Sequence, residues 1–317
     1  MTNLILDTNI YRTLVHGKTI EQLKSELKDQ NVGNKYKYIF PNIVAIELIN
    51  NLLENGLASE DCFKGLFYLI HNAKENNGEY FKGQVIPSIH DLLSMYIFQQ
   101  KSEHFKFNNN ICHISHLIAQ NGNRNKITEY QNDIEQVIKF KKRELEAIIK
   151  NIESNYLKSL NQKGGIDWNI FAKNKALKKE FKHLIKNKSF HQIFGFSLVQ
   201  MAIDETKKEN VEFNLNELQN SLFKDFEISI DFFVKHIWEK LIVIKKKKYL
   251  FDPESDPKKR WNSFYDLQLI FATEYENSYD RKTMLVTEEN RIIETFEKHQ
   301  KAELTTDLNG YKQLIKN

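Results

Sequence analysis

Four acidic residues stand where a protein that alternates strands and helices places its reactive groups. Asp7 directly follows the apolar run "LIL", and Glu289 closely follows the apolar run "MLVT". Glu47 lies inside "VAIELI", and Asp266 lies at the predicted start of a helix. Carboxylates that converge raise one another's pKa, and a bound cation relieves their repulsion. The pattern therefore predicts a cation site built from these four acids.

Glu47 gives the strongest reason to expect a cation. Its predicted helix is apolar on nearly all sides, so an unpaired carboxylate there would be destabilised by desolvation. The sequence places no Lys or Arg in an equivalent position nearby, which leaves a cation as the natural partner. Asp7 taken alone is explained equally well as the N-cap of the helix that follows it.

The elements that must position these acids alternate between strand and helix near both ends of the chain. Short apolar runs bounded by breakers predict strands at 4–7, 36–40, 283–287 and 302–306. Helical periodicity predicts helices at 19–30, 43–56 and 291–299, and another that opens at Ser263. This alternation indicates a parallel sheet with helices on its faces, and ligands of such sheets lie at the carboxyl ends of the strands.

The middle of the chain is helical in character from about residue 59 to about residue 244, and 126–160 could form one long helix. Residues 250–260, with two prolines and mixed charge, are typical of a linker. Capping boxes, in which an N-cap residue and a residue three positions later cap each other, are predicted at Thr19/Gln22, Ser88/Asp91 and Ser263/Asp266.

Composition limits the classes of protein that this chain can represent. Its 317 residues can bury a full core, and a content of 41% hydrophobic and 28% charged residues is ordinary for a globular protein. Two cysteines, Cys62 and Cys112, give no disulfide framework, which fits a reducing compartment. The chain shows no signal peptide and no apolar stretch near the roughly 20 residues of a membrane helix. We therefore expect a cytoplasmic protein with no membrane partner.

Basic residues are concentrated in two parts of the chain. Residues 139–188 contain 13 Lys and one Arg against four Glu and one Asp. A second cluster nearer the C-terminus comprises Lys245, Lys246, Lys247, Lys248, Lys258, Lys259 and Arg260. Solvated helix faces would explain such runs, and so would binding of a polyanion. If the polyanion is a nucleic acid, we expect the second cluster to guide its backbone to the acids.

Four segments, taken in order, resemble the PIN domain, a family of metal-dependent ribonucleases. They are "LILDTNIYRTL", "IFPNIVAIELI", "DLQLIFAT" and "MLVTEENRI". The family pattern has an Asp at the end of the first strand, an acid in a P-x-x-V-x-x-E-L element, a third in D-x-x-I-A-A and a fourth after an h-V-T strand. These positions fall on Asp7, Glu47, Asp266 and Glu289. The fourth acid is usually Asp, and "TEEN" offers Glu288 as an alternative to Glu289.

The resemblance implies an α/β fold with a PIN-like central parallel sheet flanked by helices and interrupted by a large all-α insertion. Residues 1–57 and 258–317 would form the discontinuous nuclease domain, and 58–257 the helical insertion with a basic surface. Mg²⁺ or Mn²⁺ would be held by Asp7 and Asp266, with Glu47 and Glu289 binding directly or through water. The side chains expected to orient these ligands or the scissile phosphate are Thr8, Asn9, Thr287 and Asn290.

The implied activity is endoribonucleolytic hydrolysis of RNA that leaves a 5′-phosphate and a 3′-hydroxyl, as in a toxin or a phage-defence effector. Single-stranded DNA is an alternative substrate, and a structure-specific DNA nuclease is an alternative enzyme. From another class, a nuclease-derived RNA- or protein-binding module would keep the acids without activity. A homodimer, or a regulatory protein partner on the helical insertion, is compatible with each of these.

Two other patterns fit ordinary packing better than chemistry. Cys112, His113 and His116 in "CHISH" have the spacing of half a zinc site, but no second ligand pair accompanies them at a usual spacing. Aromatic residues among the basic ones could stack on bases, although their helical spacing is more typical of a core. They are Phe140, Tyr156, Trp168, Phe171 and Phe181.

Overall fold

The computed structural model describes residues 1–30, 35–53, 56–73, 84–101, 105–120, 122–152, 170–187, 195, 198–203, 214–238 and 262–316. This part of the chain is mostly helical and contains a small parallel sheet flanked by helices. The architecture is compatible with the predicted α/β class.

The main sheet has four parallel strands in the order β2-β1-β5-β6. They are β1 (Thr2–Leu6), β2 (Tyr36–Tyr38), β5 (Thr283–Val286) and β6 (Thr305–Thr306). Strand β1 lies inside the sheet, and its residues Leu4, Ile5 and Leu6 are fully buried. Its sequence is a continuous apolar run because helices cover both faces of the sheet. A second pair of parallel strands is formed by β3 (Phe40–Pro41) and β4 (Val85–Ile86).

The α-helices of the described residues include α1 (Thr8–Val15), α2 (Ile20–Gln30), α3 (Asn42–Asn50), α4 (Leu57–Ala73), α5 (Ile89–Phe98), α6 (Phe105–Ala119), α7 (Gln131–Ile152), α8 (Ile170–Lys173), α9 (Lys175–Leu184), α10 (Leu215–Asp225), α11 (Glu227–Phe232), α12 (Asn262–Ser278), α13 (Asn290–Lys298) and α14 (Leu308–Lys316). Other helical turns are a π-helix at Phe233–Trp238 and 3₁₀ turns at Arg124–Tyr130 and Ala302–Leu304. None of the helices in the described ranges is both long and apolar enough to cross a membrane.

One apolar core joins the sheet to its helices. Helix α4 packs on α1 and α3, and α3 also packs on α6 and α7. The predicted apolar surroundings of Glu47 are confirmed, since Val44, Ile46, Leu48 and Ile49 are all buried. Helix α4 lies in the range predicted as the insertion, so the helical segment begins in direct contact with the helices that follow β1 and β3.

Of the three predicted capping boxes, only the first forms. The backbone N–H of Gln22 donates to Thr19 Oγ1 at 3.2 Å, and that of Thr19 donates to Gln22 Oε1 at 2.7 Å. Asp91 is instead buried and accepts a hydrogen bond from the Asn108 amide. The side chains of Ser263 and Asp266 instead both accept hydrogen bonds from Arg291, a residue of helix α13.

Several predicted boundaries are wrong. The helix predicted at 43–56 ends at Asn50, where Asn51 Nδ2 caps the Glu47 carbonyl at 3.0 Å. Gly56, at φ +103°, belongs to the start of α4, since its carbonyl accepts from the N–H of Glu60. The strand predicted at 302–306 is shortened to β6 by a 3₁₀ turn, and the run 36–40 divides between β2 and β3. The long helix predicted at 126–160 opens as a 3₁₀ turn and continues as α7 to Ile152; its remainder lies outside the described residues.

Candidate functional site

Strand pairing brings Asp7 and Thr287 together. Leu6 of β1 is in register with Val286 of β5, so the next residue of each strand lies at the same carboxyl edge of the sheet. The backbone N–H of Asp7 donates to the carbonyl of Val286 at 3.0 Å, which fixes this arrangement. The hydroxyl of Thr287 then donates to Asp7 Oδ2 at 2.9 Å. The sheet register alone therefore positions the first acid and its polar partner.

Asp7 is buried, and burial is the main reason why its pKa is raised to about 7. The carboxylate of Glu47 raises this pKa further, whereas the Thr287 hydroxyl and the backbone amides of Thr8 and Asn9 lower it. Asp7 does occupy the N-cap position of α1, but its side chain makes no capping hydrogen bond. Among the described residues, none of the groups that cause this pKa shift is cationic.

Glu47 reaches the same edge from α3. The Thr8 hydroxyl donates a hydrogen bond to Glu47 Oε2. Because Thr8 follows Asp7 directly, this bond ties the second acid to the first. Glu47 is only half-buried although its helix is apolar on both sides of it, so its carboxylate opens toward the site rather than into the core.

Asp266 comes from α12, and its carboxylate binds a basic side chain. Arg291 Nη2 donates to Asp266 Oδ2 at 3.2 Å, and Arg291 Nη1 donates to Ser263 Oγ at 3.1 Å. Burial raises the pKa of Asp266 well above its ordinary value, and the charges of Asp7, Glu289 and Glu47 raise it further. The guanidinium of Arg291 opposes this shift.

The structure separates the roles of the two adjacent glutamates after β5. Glu289 Oε1 accepts from Arg291 Nε at 2.6 Å, which places Glu289 beside Asp266. The backbone N–H of Glu289 donates to the Thr287 hydroxyl at 3.1 Å. Glu288 faces the other way, because its Oε1 accepts from the backbone N–H of Leu308 at the start of α14. Glu289 is therefore the fourth acid of the cluster and Glu288 caps a helix.

The four predicted acids thus lie within electrostatic reach of one another. All of Asp7, Glu47 and Glu289 act on the pKa of Asp266, although the sequence spans 282 positions from the first of these acids to the last. They arrive from four separate elements: the end of β1, α3, α12 and the N-cap of α13. The prediction that these acids converge on one edge of the sheet agrees with this placement.

Arg291 is a member of the cluster that the sequence argument missed. From the sequence, a basic partner is considered only for Glu47, whereas Asp266 and Glu289 both pair with Arg291. Its position two residues after Glu289, at the second position of α13, is a signal that could have found it. A side chain at the start of that helix points back toward its N-terminus and so toward the strand ends.

The predicted polar helpers divide into two pairs. Thr8 and Thr287 are buried and donate hydrogen bonds to Glu47 and Asp7 respectively. Asn9 and Asn290 are exposed, and the backbone carbonyl of Asn9 accepts a bond from Thr13. The two threonines therefore hold the acids in place, whereas the two asparagines lie on the rim.

The four carboxylates are chemically suitable ligands for a divalent cation, but their present arrangement is less suitable. Hard cations such as Mg²⁺ and Mn²⁺ prefer carboxylate oxygens, and the pKa of Asp7 is raised by burial and by Glu47, with no cationic group among the described residues to oppose the shift. As the described side chains now stand, no three His, Cys, Asp or Glu residues are disposed to hold a metal ion. Arg291 engages two of the four acids, so a cation would have to share or replace its contacts.

Other predicted site residues do not join the cluster or fall outside the described ranges. The basic cluster of Lys245, Lys246, Lys247, Lys248, Lys258, Lys259 and Arg260 lies outside them, as do Tyr156 and Trp168. Phe140 stacks on Phe107 with ring centres 3.9 Å apart, and Phe171 packs on Phe181, as expected of core residues. Cys112 and His116 are buried in α6.

Comparison with known proteins gives no relative: no family model, no curated protein and no solved structure matches this chain.

Proposed function

We propose that this protein is a metal-dependent endoribonuclease with a PIN-like domain. One observation carries the proposal: four carboxylates from separate elements meet at the carboxyl edge of a parallel sheet. Burial and neighbouring acids raise the pKa values of two of them, Asp7 and Asp266. Buried acids that face other acids are a common mark of functional sites, because a stable fold does not require them. The motif order that resembles the PIN family supports the same conclusion.

Each side chain has a defined role in this proposal. Asp7 and Asp266 would hold Mg²⁺ or Mn²⁺, with Glu47 and Glu289 binding it directly or through water. Such a cation supplies positive charge for the transition state of phosphodiester hydrolysis and makes water a better nucleophile. The Thr287 hydroxyl holds one oxygen of Asp7 in place. The Thr8 hydroxyl likewise holds one oxygen of Glu47.

Helix α7 supports a nucleic acid as the substrate. It packs on α3, which carries Glu47, and Lys141 Nζ lies 4.5 Å from the ring centre of Tyr265, the neighbour of Asp266. Three further basic side chains of this helix are exposed: Lys139, Lys142 and Arg143. Positive charge beside an acid site favours approach of a phosphodiester backbone.

A second candidate function is a nuclease-derived binding module without activity. The contacts of Arg291 favour it, because a guanidinium that permanently neutralises Asp266 and Glu289 would prevent a metal ion from binding there. In that case the basic helix would bind RNA or a protein partner and the acids would serve only as ligands of Arg291.

Cleavage assays on the full chain separate the two functions. Wild type, Asp7→Asn and the control Glu294→Gln are incubated with labelled single-stranded RNA, or DNA of the same sequence, with Mn²⁺ or EDTA. Glu294 is an exposed acid of α13, so its variant controls for loss of a nearby negative charge. We expect Mn²⁺-dependent RNA cleavage by wild type and by Glu294→Gln, and none by Asp7→Asn. Binding of RNA without cleavage under all conditions would favour the binding module.

A further inference from the structure

Arg291 connects Glu289 to Asp266 and Ser263 through three different donor atoms. Its Nε donates to Glu289 Oε1 at 2.6 Å, its Nη1 to Ser263 Oγ at 3.1 Å and its Nη2 to Asp266 Oδ2 at 3.2 Å. The guanidinium therefore crosses from the start of α13 to the first turns of α12. The charge of Asp7 also acts on Asp266, so the guanidinium lies at the edge of the proposed metal position.

A divalent cation and Arg291 would compete for the same oxygens. The proposed ligands include the carboxylates of Asp266 and Glu289, whose Oδ2 and Oε1 atoms already accept from the guanidinium. Two positive groups on one pair of carboxylates repel each other, and this repulsion is strong where water is largely excluded. Binding of the ion therefore weakens at least one Arg291 contact and frees guanidinium donors.

A released Arg291 is well placed to meet a phosphate. The side chain is 30% exposed, so it already lies at the opening of the site rather than in the core. Its guanidinium presents two parallel N–H donors, which match two oxygens of a phosphodiester better than an ammonium group does. Arg291 also lies in the first turn of α13, whose N-terminus favours negative charge.

We propose that Arg291 binds the scissile phosphate of the substrate and is held by Asp266 and Glu289 until a divalent cation takes its place. This inference rests on the proposed nuclease function. It gives the contacts of Arg291 with Asp266 and Glu289, which favoured an inactive binding module, a role in an active site. The acids, the ion and the phosphate would then exchange partners: the ion takes the carboxylates and Arg291 takes the phosphate.

Two substitutions and a matched control test this role. Arg291→Met removes the charge and keeps much of the apolar stem, whereas Arg291→Lys keeps the charge but loses the paired donors. Arg281→Met is the control, because Arg281 Nη1 also pairs with a carboxylate of α12, Glu276, at 3.2 Å, but lies away from the acid cluster. Circular dichroism and melting curves establish that each variant is folded.

The first measurement is Mn²⁺ affinity without nucleic acid, by isothermal titration calorimetry. Arg291→Met should bind Mn²⁺ more tightly than wild type, by about tenfold, since the competing charge is gone. Arg291→Lys should stay near wild type, and Arg281→Met should be unchanged. Weaker or equal Mn²⁺ binding by Arg291→Met would show that Arg291 only positions the acids and would overturn the exchange.

The second measurement is the affinity for single-stranded RNA with Ca²⁺ as the divalent ion, to separate binding from cleavage. Arg291→Met should lose about tenfold in affinity, and Arg291→Lys should lose less, because a point charge replaces a two-point contact. Arg281→Met should bind RNA like wild type. RNA affinity unchanged in both Arg291 variants would overturn the assignment even if Mn²⁺ binding changes as expected. If Arg291→Met fails to fold, weaker RNA binding by Arg291→Lys with near-normal Mn²⁺ affinity still supports the proposal.

Asp7→Asn distinguishes failure of this inference from failure of the proposed function. If Asp7→Asn binds Mn²⁺ as tightly as wild type, the metal site itself is wrong and Arg291 has nothing to exchange with. If Asp7→Asn loses Mn²⁺ binding while Arg291→Met matches wild type in both measurements, the metal site stands and only the role of Arg291 fails.

Discussion

Two carboxyl groups of helix α12, the largely buried Asp266 and the buried Glu274, have different kinds of hydrogen-bond donor. Glu274 is 3% exposed and accepts hydrogen bonds from the backbone N–H groups of Ile228 and Ser229 at 2.9 and 2.8 Å. Those amides open helix α11, so Glu274 joins two helices. Asp266 instead lies near three other acids and accepts a hydrogen bond from Arg291, whose long side chain is partly exposed.

The comparison shows that burial alone does not identify a functional acid. Both carboxyls have raised pKa values because both are desolvated. The donors differ: backbone amides are fixed by the helix that they begin, whereas a guanidinium on a long side chain can leave. A carboxyl with fixed donors is complete within the fold, but one whose partner can be exchanged is available to a ligand.

The largest expected effect separates the two acids by activity. Asp266→Asn should lower the rate of RNA cleavage by more than about 100-fold, equal to about 2.7 kcal/mol of transition-state stabilisation. Glu274→Gln should stay within a few-fold of wild type, since Glu274 lies outside the acid cluster. The rates are measured with saturating Mn²⁺ on the same RNA. Comparable losses in the two variants would remove the distinction between them.

Comparison of wild type with Glu274→Gln should isolate the contribution of Glu274 to the pH dependence of stability. Burial raises its pKa from 4.5 to about 7 in the folded protein, so the folded state holds this proton more tightly than the unfolded chain does. The resulting stability is complete below pH 4.5 and is lost as the pH rises through about 7. Over that range wild type should lose about 3 kcal/mol relative to Glu274→Gln. Urea denaturation of both proteins at pH 5 and pH 8 measures the difference, and parallel curves would refute it.

A smaller effect should appear when Mn²⁺ is added to the folded protein. At 100 times the dissociation constant, a bound ion stabilises the folded state by about 2.7 kcal/mol. We expect Mn²⁺ to raise the melting temperature of wild type and of Glu274→Gln, but much less that of Asp7→Asn. Equal shifts in all three proteins would indicate a general ionic effect instead of a site.

The elements that carry the acids could be predicted because they are short and strongly patterned. The run before Asp7 is apolar throughout and reads as a central buried strand, and "MLVT" likewise ends where Thr287 leaves the sheet. Parallel strands bring their carboxyl ends to one edge, so the convergence of these acids follows from local patterns. The helix that carries Glu47 could be predicted in the same way, from the apolar residues on both sides of Glu47.

The partners of those acids could not be predicted, because they depend on how separate helices pack. Ser263 and Asp266 have the spacing of a capping box, yet both bind Arg291 from α13. Glu274 has no local pattern that announces its bonds to α11, 45 positions earlier in the chain. Likewise, only the position of α14 shows that Glu288 caps a helix while Glu289 joins the cluster.

The pairing of β1 with β5 sets the moment at which the acid cluster can assemble during synthesis of the protein. Asp7 is made first, but its sheet neighbour, Val286, and the Thr287 hydroxyl follow 279 and 280 positions later. Contacts so distant in sequence form late, because the intervening chain must be ordered before they close. A ribosome that translates this message therefore carries a nascent chain whose acids remain apart until β5 has emerged. If the site cuts RNA, a nascent chain cannot cut the message from which it is being translated until β5 has emerged.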